Sequence, residues 1–306
     1  MNDVESRQAV QQIVRKKFRG KKEIKSKVHT HYKENLNREY QRLIEAYFAL
    51  LIPIITKHLE MLFARPEENQ TVKNVYREDD RKSDFLNYIR NAFKDMKNDF
   101  HKKEQPFGLA KKIQKVADLS EKLSISDWKR TVQKTLGIDI LDDYYSGEFY
   151  RTQLQQWAEQ NVGLISTLPD DVLDEMQNIV EDGYTHGKTT RDMVKEIQDR
   201  FNVSKKKAKF WATDQLAKLN AEITQQQQTD CGVEEYVWST SGDQRVRDKH
   251  RELNGKRFRW DNPPIVDDRT GRRAHPGQDY RCRCVALPVF NLETLNLPIK
   301  VKIDKK

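Results

Sequence analysis

The chain has 306 residues, of which 36% are hydrophobic and 34% are charged, with 12 glycines and 9 prolines. This composition favours long solvated helices over a compact α/β enzyme. The formal net charge of +9 predicts an anionic partner, and nucleic acid is the commonest such partner of a soluble protein. The start, MNDVESRQ, lacks the pattern of a secretory signal, and we expect no membrane-spanning run, so the chain is expected to be cytosolic.

A basic stretch, VRKKFRGKKEIKSK, lies in residues 1–35. Two interpretations stay open for this segment: an arm that touches phosphates, or a solvated and partly disordered leader. Under the first interpretation the candidate nucleic-acid-binding residues are Arg15, Lys16, Lys17 and Arg19.

Helical periodicity runs through residues 36–150, which we predict to be a helical N-terminal region. Its most apolar part, LNREYQRLIEAYFALLIPIITKHLEMLF, is expected to form a core or oligomer-contact helix that Pro53 kinks or divides. Two further helices are expected at about 109–119 and 127–135, the second capped by Ser126.

Residues 151–231 are predicted to contain three successive helices. Thr189 or Thr190 is expected to cap the second helix and Ser204 the third, because hydroxyl groups accept hydrogen bonds from the free N–H groups at a helix start. Short connections place successive helices side by side, so this region is predicted to form a helical hairpin arrangement.

After Gly232 the periodicity changes from helical to alternating. VEEYVWST, RFRW and CRCVALPVF are typical of strands, SGDQRVRDKHREL of a short helix, and NGK of a turn. Residues 232–290 are therefore predicted to form a small α+β module, followed by a C-terminal tail at 291–306. The predicted fold class is mainly α, with an elongated helical body before the small α+β C-terminal module.

Two of the three cysteines lie one residue apart in the stretch HPGQDYRCRC. On a strand, Cys282 and Cys284 would project from one face and could converge on a soft metal ion, whereas a disulfide between positions i and i+2 is strained. Helical spacing places His250 on the inward face of its helix, and His275 precedes the cysteines. One interpretation is a zinc site made of His250, His275, Cys282 and Cys284. The other is a set of buried histidines and cysteines that bind no metal.

Cations are in excess in the same module. From Asp243 to Cys284 there are 12 Arg and Lys against 7 Asp and Glu. The excess favours a surface that faces phosphates, although the acidic residues could instead pair with the arginines inside the module. The candidate nucleic-acid-binding residues here are Arg245, Arg247, Arg251, Arg272 and Arg273.

The run WSTSGDQRVRDKHRELNG, followed by HPG and then by CRC, resembles the C-terminal signature of the tailed-phage head morphogenesis proteins, the Mu F-like minor capsid family. The resemblance covers about residues 155–290. The helical segment upstream is similar to the same family through Asn161, Leu164, Ile165, Gly187, Ala212, Thr213, Asp214 and Asn220.

The resemblance implies a non-enzymatic minor head protein that acts in procapsid assembly. Its implied partners are the portal protein, coat or scaffolding protein, and phage DNA, with neither a membrane nor a small-molecule substrate. The implied location is inside the capsid of the virion, after assembly in the host cytoplasm. One structural zinc is the cofactor that the residues allow. Two alternatives stay open: a metal-dependent nuclease-like or hydrolytic enzyme, and a zinc-stabilised nucleic-acid-binding module.

Overall fold

The structure is a computed structural model that describes residues 3–28, 30, 32–64, 78–141 and 148–298. It confirms the predicted fold class, mainly α with a small α+β module near the C-terminus. The helices are α1 (Asp3–Lys17), α2 (Glu34–Ala49), α3 (Leu51–Ala64), α4 (Glu78–Phe107), α5 (Leu109–Leu136), α6 (Glu148–Ser166), α7 (Leu168–Thr185), α8 (Thr190–Asp230) and α9 (Asp248–Leu253), and the strands are β1 (Glu23–Lys25), β2 (Glu235–Ser239), β3 (Arg257–Arg259), β4 (Ile265–Asp267), β5 (Arg272–Arg273) and β6 (Val285–Asn291).

Two compact units make up the fold, and each is assembled from separate stretches of sequence. Unit 1 consists of Met1–Asn37, Lys115–Trp157 and Thr213–Lys306, and unit 2 consists of Arg38–Gln114 and Ala158–Ala212. The sequence prediction divides the chain into continuous segments. Each of the two units instead combines parts of several of those segments. Composition along a sequence does not show which distant helices pack together, which is why the boundaries differ.

Unit 2 is helical, and its core is aromatic. Tyr47 is fully buried and packs edge-on against Phe100, with 5.5 Å between the ring centroids. The division expected near Pro53 is present, because α2 ends at Ala49 and α3 begins at Leu51. Pro53 lies in the first turn of α3, where a missing backbone N–H costs no intrahelical hydrogen bond.

The segment Glu34–Phe63, which covers α2 and α3, is long and apolar enough to cross a membrane by length and composition alone. We did not expect such a segment from the sequence. Tyr40, Ile44 and Phe48 are nevertheless fully buried against other helices of unit 2. These residues form a buried face of α2, and burial of 44% of the apolar window accounts for part of its composition.

Unit 1 contains a four-stranded antiparallel sheet with the order β1-β6-β2-β3, and β4 pairs with β5 in a separate hairpin. The edge strand β1 comes from the N-terminal segment, where Ile24 lies opposite Phe290. Helix α1 belongs to the same core, since Val10 and Val14 are fully buried in the cluster that contains Phe290. Residues 3–28 are therefore part of a folded unit, and the interpretation as a solvated and partly disordered leader does not describe them. Contact of their basic residues with phosphates stays a prediction.

The helix boundaries expected at Ser126 and Ser204 differ from the structure. One helix, α5, covers both segments predicted around Ser126, and the 41-residue helix α8 continues through Ser204. A serine is a good cap but does not end a helix whose apolar stripe continues on both sides of it. The expected cap at Thr189 is confirmed, because its hydroxyl accepts a hydrogen bond from the Asp192 N–H at 3.2 Å.

The predicted C-terminal tail, 291–306, is in part a core segment. Leu292, Leu295 and Leu297 are buried in the same cluster as Phe290. The remaining residues of that prediction, 299–306, lie outside the described residues.

The placement of α1 can be tested with two adjacent residues. Val14→Ala is expected to lower the free energy of unfolding by about 2 kcal/mol, because it removes two buried carbons and leaves a cavity. Ile13 is 42% exposed, and Ile13→Ala is expected to change stability by less than about 0.5 kcal/mol. Urea unfolding of both variants measures the difference, and equal small effects would contradict a buried α1.

Candidate metal centre

The two cysteines of the C-terminal module lie in the segment that leads into β6. We predicted that CRCVALPVF is a strand throughout, but β6 begins only at Val285. The strand prediction is therefore wrong for Cys282 and Cys284, because the preceding chain turns sharply and Arg281 adopts a left-handed backbone conformation with φ of 49°.

The cysteine side chains converge on His250 despite this difference. His250 lies on the short helix α9, and its Nδ1 is 3.6 Å from the Sγ of Cys282 and 3.6 Å from the Sγ of Cys284. All three residues are buried, and their ligand atoms lie within 4.8 Å of one another. One imidazole nitrogen and two sulfurs at this spacing can hold a soft metal ion such as zinc.

Backbone N–H groups surround the sulfur of Cys282. The amides of Gly277 and Cys284 each point at this Sγ from 3.4 Å. A hydrogen bond from the Cys284 thiol, together with His250, holds the pKa of Cys282 well below its usual value in spite of burial. The same hydrogen bond and burial raise the pKa of Cys284. The thiolate form of Cys282 is thus favoured, and thiolate is the form of cysteine that ligates metals.

A buried carboxylate orients the histidine. The Nε2 of His250 lies 3.1 Å from the Oδ2 of Asp279, whose side chain is fully buried. Burial opposes the charge of His250, but its hydrogen bonds to Asp279 and Cys282 outweigh that effect and raise its pKa to about 9. A carboxylate on one ring nitrogen leaves the other nitrogen, Nδ1, facing the sulfurs. Metal-binding histidines commonly have this arrangement.

Asp279 has further donors around it. It accepts hydrogen bonds from Arg272, from Arg247 at 3.4 Å and from the backbone N–H of Tyr280 at 2.8 Å. Although burial opposes ionisation, these donors and His250 lower the pKa of Asp279 to about 2. From the sequence, Asp279 is one of the acidic residues that could pair with the arginines of the module. Its position three residues before Cys282 is the available signal for a role beside the candidate ligands.

The fourth predicted ligand, His275, lies apart from this group. Its Nδ1 is 2.8 Å from the hydroxyl of Tyr236, and its ring packs against Trp260 with 4.8 Å between centroids. Burial lowers the pKa of His275, so the neutral imidazole is favoured. The structure thus brings together three of the four predicted ligands and places His275 in the aromatic core beside them.

The arginines proposed to contact nucleic acid make contacts within the module. Arg247 and Arg272 bond Asp279, and Arg251 pairs with Asp248 at 2.8 Å. The side chain of Arg273 donates to the backbone carbonyl of Pro263, and Arg245 lies 3.6 Å from Asp243. These contacts match the alternative in which acidic residues pair with arginines internally. The other candidates, Arg15, Lys16, Lys17 and Arg19, are exposed at the end of α1 and just after it.

A small cavity of about 60 Å³ lies beside the cysteines in unit 1. Cys282 and Cys284 line it together with polar residues of α5 and α8, among them Ser124, Asn220 and Gln227. No local pattern in the sequence indicates this cavity, because its lining comes from five stretches that are separate along the chain.

Residues 174–287 match the model of the family described as Phage Mu protein F like protein, which confirms the resemblance noted in the sequence. An uncharacterized protein of Haemophilus influenzae is 39% identical over 149 residues, which cover 48% of this chain and 32% of that protein. The chain therefore spans about a third of the length of this relative. No solved structure matches the chain.

The neutral state of His275 predicts a pH effect on stability. A histidine whose pKa is lowered by folding contributes stability above its unfolded pKa of about 6.5, and that contribution is lost as the pH falls. The melting temperature is therefore expected to fall between pH 7 and pH 5 more steeply in the wild type than in His275→Gln. Parallel curves for the two proteins would mean that His275 is not held neutral by the fold.

Proposed function

We propose that this chain, whose residues 174–287 carry the Mu protein F-like sequence, is a non-enzymatic minor head protein of a tailed phage. In this proposal it is incorporated during procapsid assembly in the host cytoplasm and stays inside the capsid of the virion. The observation that carries the proposal is the family match, because head morphogenesis is the role of that family. The matched segment contains the His250 and cysteine group and most of the sheet of unit 1.

The partners in this proposal are the portal protein, coat or scaffolding protein, and phage DNA. The contacts within unit 1 favour the protein partners, because Arg247 and Arg272 are already bonded to Asp279. Their charge is largely neutralised, and an arginine already paired with a carboxylate contributes less to phosphate binding. Contact with DNA then falls mainly to the exposed cations at the end of α1.

Particles of the phage that carries this gene provide the test. Quantitative mass spectrometry is expected to find a few copies of the protein per particle in purified virions and also in procapsids that contain no DNA. Presence in empty procapsids follows if protein partners recruit the chain. Deletion of the gene is expected to reduce the yield of filled heads.

Two outcomes would count against the proposal. If purified virions lack the protein, the minor head role is wrong. If filled heads contain the protein but empty procapsids do not, DNA and not the portal or coat recruits it. A coat protein measured in the same samples serves as the internal reference for copy number.

We also propose that His250, Cys282 and Cys284 hold one zinc ion, which stabilises the C-terminal module. The support is the convergence of one nitrogen and two sulfurs, with a carboxylate behind the imidazole. Zinc binding to ligands that are far apart in sequence adds its binding free energy to the stability of the fold. His275 is not included, because its Nδ1 lies against Tyr236.

Elemental analysis tests the zinc proposal. The purified protein is expected to contain about one zinc per chain, and the double variant Cys282→Ser, Cys284→Ser is expected to contain none. The third cysteine, Cys231, lies in the other core cluster of unit 1, so Cys231→Ser is the matched control and is expected to keep zinc. His275→Gln is expected to keep zinc as well. Zinc that persists in the double variant would place the metal elsewhere.

A further inference from the structure

The zinc site just proposed has three protein ligands among the residues that the structure describes. The ligand atoms that lie within 4.8 Å of one another belong to His250, Cys282 and Cys284. Zinc is almost always four-coordinate in proteins, and structural sites usually fill all four positions with side chains. The source of the fourth ligand therefore decides what kind of site this is.

The two cysteines of the candidate site border a cavity. Cys282 and Cys284 both line the cavity of about 60 Å³, and residues of helix α8 line it as well. Gly277 lies close to α8. Its backbone has φ of 88°, and a Cβ at this position would lie 2.9 Å from the Cβ of Ala221 on α8. The turn that holds the cysteines therefore packs directly against α8, and the cavity remains beside this contact.

The wall formed by α8 has a buried donor without an acceptor. Gln227 is 2% exposed and lines the cavity, and its Nε2 has no hydrogen-bond partner among the residues that the structure describes. The neighbouring Gln228 shows the usual situation, because its Nε2 donates to the Ala286 carbonyl and its Oε1 accepts from Trp260. A buried N–H group without an acceptor is costly, so one in this position indicates a missing acceptor in the cavity.

A cation lies on the same cavity. Lys33 lines it, with its Nζ 3.5 Å from the Oδ2 of Asp127, and burial lowers the pKa of this lysine. Asp127 lines the cavity as well, so the charge of Lys33 is paired, and the amide of Gln227 is the donor that lacks a partner among the described residues. Such a lining suits a small ligand that carries electron pairs or negative charge.

We infer that the metal held by His250, Cys282 and Cys284 keeps its fourth position open toward this cavity, where it binds water or a small anion. Gln227 donates a hydrogen bond to that ligand. The inference rests on the zinc proposal and changes its character, because an open position is the feature that separates reactive zinc sites from closed structural ones. The volume of the cavity limits the ligand to a few atoms, the size of hydroxide, azide or a small carboxylate.

The full chain loaded with cobalt(II) in place of zinc provides the test, with azide as the probe. The visible absorption bands of cobalt bound to thiolates change when a ligand is exchanged, so the readout needs no enzymatic activity. Azide is expected to shift the bands in a saturable way. A phosphine reductant keeps the thiols reduced without adding a competing thiol.

Paired variants locate the open position. Gln227→Ala is expected to weaken azide binding about three- to tenfold, the effect of one lost hydrogen bond. The matched control is Gln226→Ala on the same helix, whose side chain donates to Asp230 and does not line the cavity. This control is expected to bind azide like the wild type.

The outcomes separate the two proposals. If cobalt does not bind, both the zinc site and the open position are wrong. If one cobalt binds through thiolates but azide leaves its bands unchanged, the zinc proposal stands and the open position is refuted. If azide binds equally well to the wild type and Gln227→Ala, the open position does not face Gln227, and the assignment to this cavity is overturned.

Discussion

The buried carboxylate of Asp279 is the interaction on which the C-terminal module depends. A carboxylate with no exposed surface is stable only when its charge is paired and its oxygens accept hydrogen bonds. Its partners come from different segments: His250 from α9, Arg247 from just before α9, and Arg272 from β5. The carboxylate of Asp279 therefore orients the imidazole of His250 and also holds the hairpin of β4 and β5 through Arg272. This interaction is electrostatic, while the apolar part of the module is supplied by Trp238, Trp260 and their neighbours.

The sheet of unit 1 is completed by residues that lie outside the Mu F-like segment. β1 pairs with β6, and Phe290, which follows the matched residues 174–287, packs on Trp128 with 5.8 Å between ring centroids. The edge of β6 is thereby covered, and an uncovered edge strand would be open to pairing with other chains. The high charge of the N-terminal segment does not suggest a structural role. Val10 and Val14, spaced four residues apart, nevertheless supply a buried face of α1, and the basic residues of its last turn follow them.

The sequence was sufficient for the features that depend on local pattern. The helical character, the strands around Tyr236 and Val289, and the cap at Thr189 follow from periodicity and from side-chain hydrogen bonding over a few residues. The sequence was not sufficient where distant segments meet. His250 and Cys284 are 34 positions apart, and only the folded chain shows that their atoms approach while those of His275 bond Tyr236. Residue type alone does not show which of two buried histidines lies beside the cysteines. The packing and the hydrogen-bond partners of each ring decide which ring nitrogen can face the sulfurs.

The same distance along the chain shows what the proposed zinc ion would contribute at this position. Between α9 and the cysteines the chain makes an excursion that contains a three-residue strand and the hairpin of β4 and β5. An isolated two-stranded hairpin is at best marginally stable, and Val266 and Ala274 are its contributions to the buried cluster. In the zinc proposal, an ion that joins His250 to the cysteines would close this excursion, and its binding free energy would add to the stability of the folded state. The carboxylate of Asp279 joins the same two parts of the chain, since it bonds both His250 and Arg272 of the hairpin.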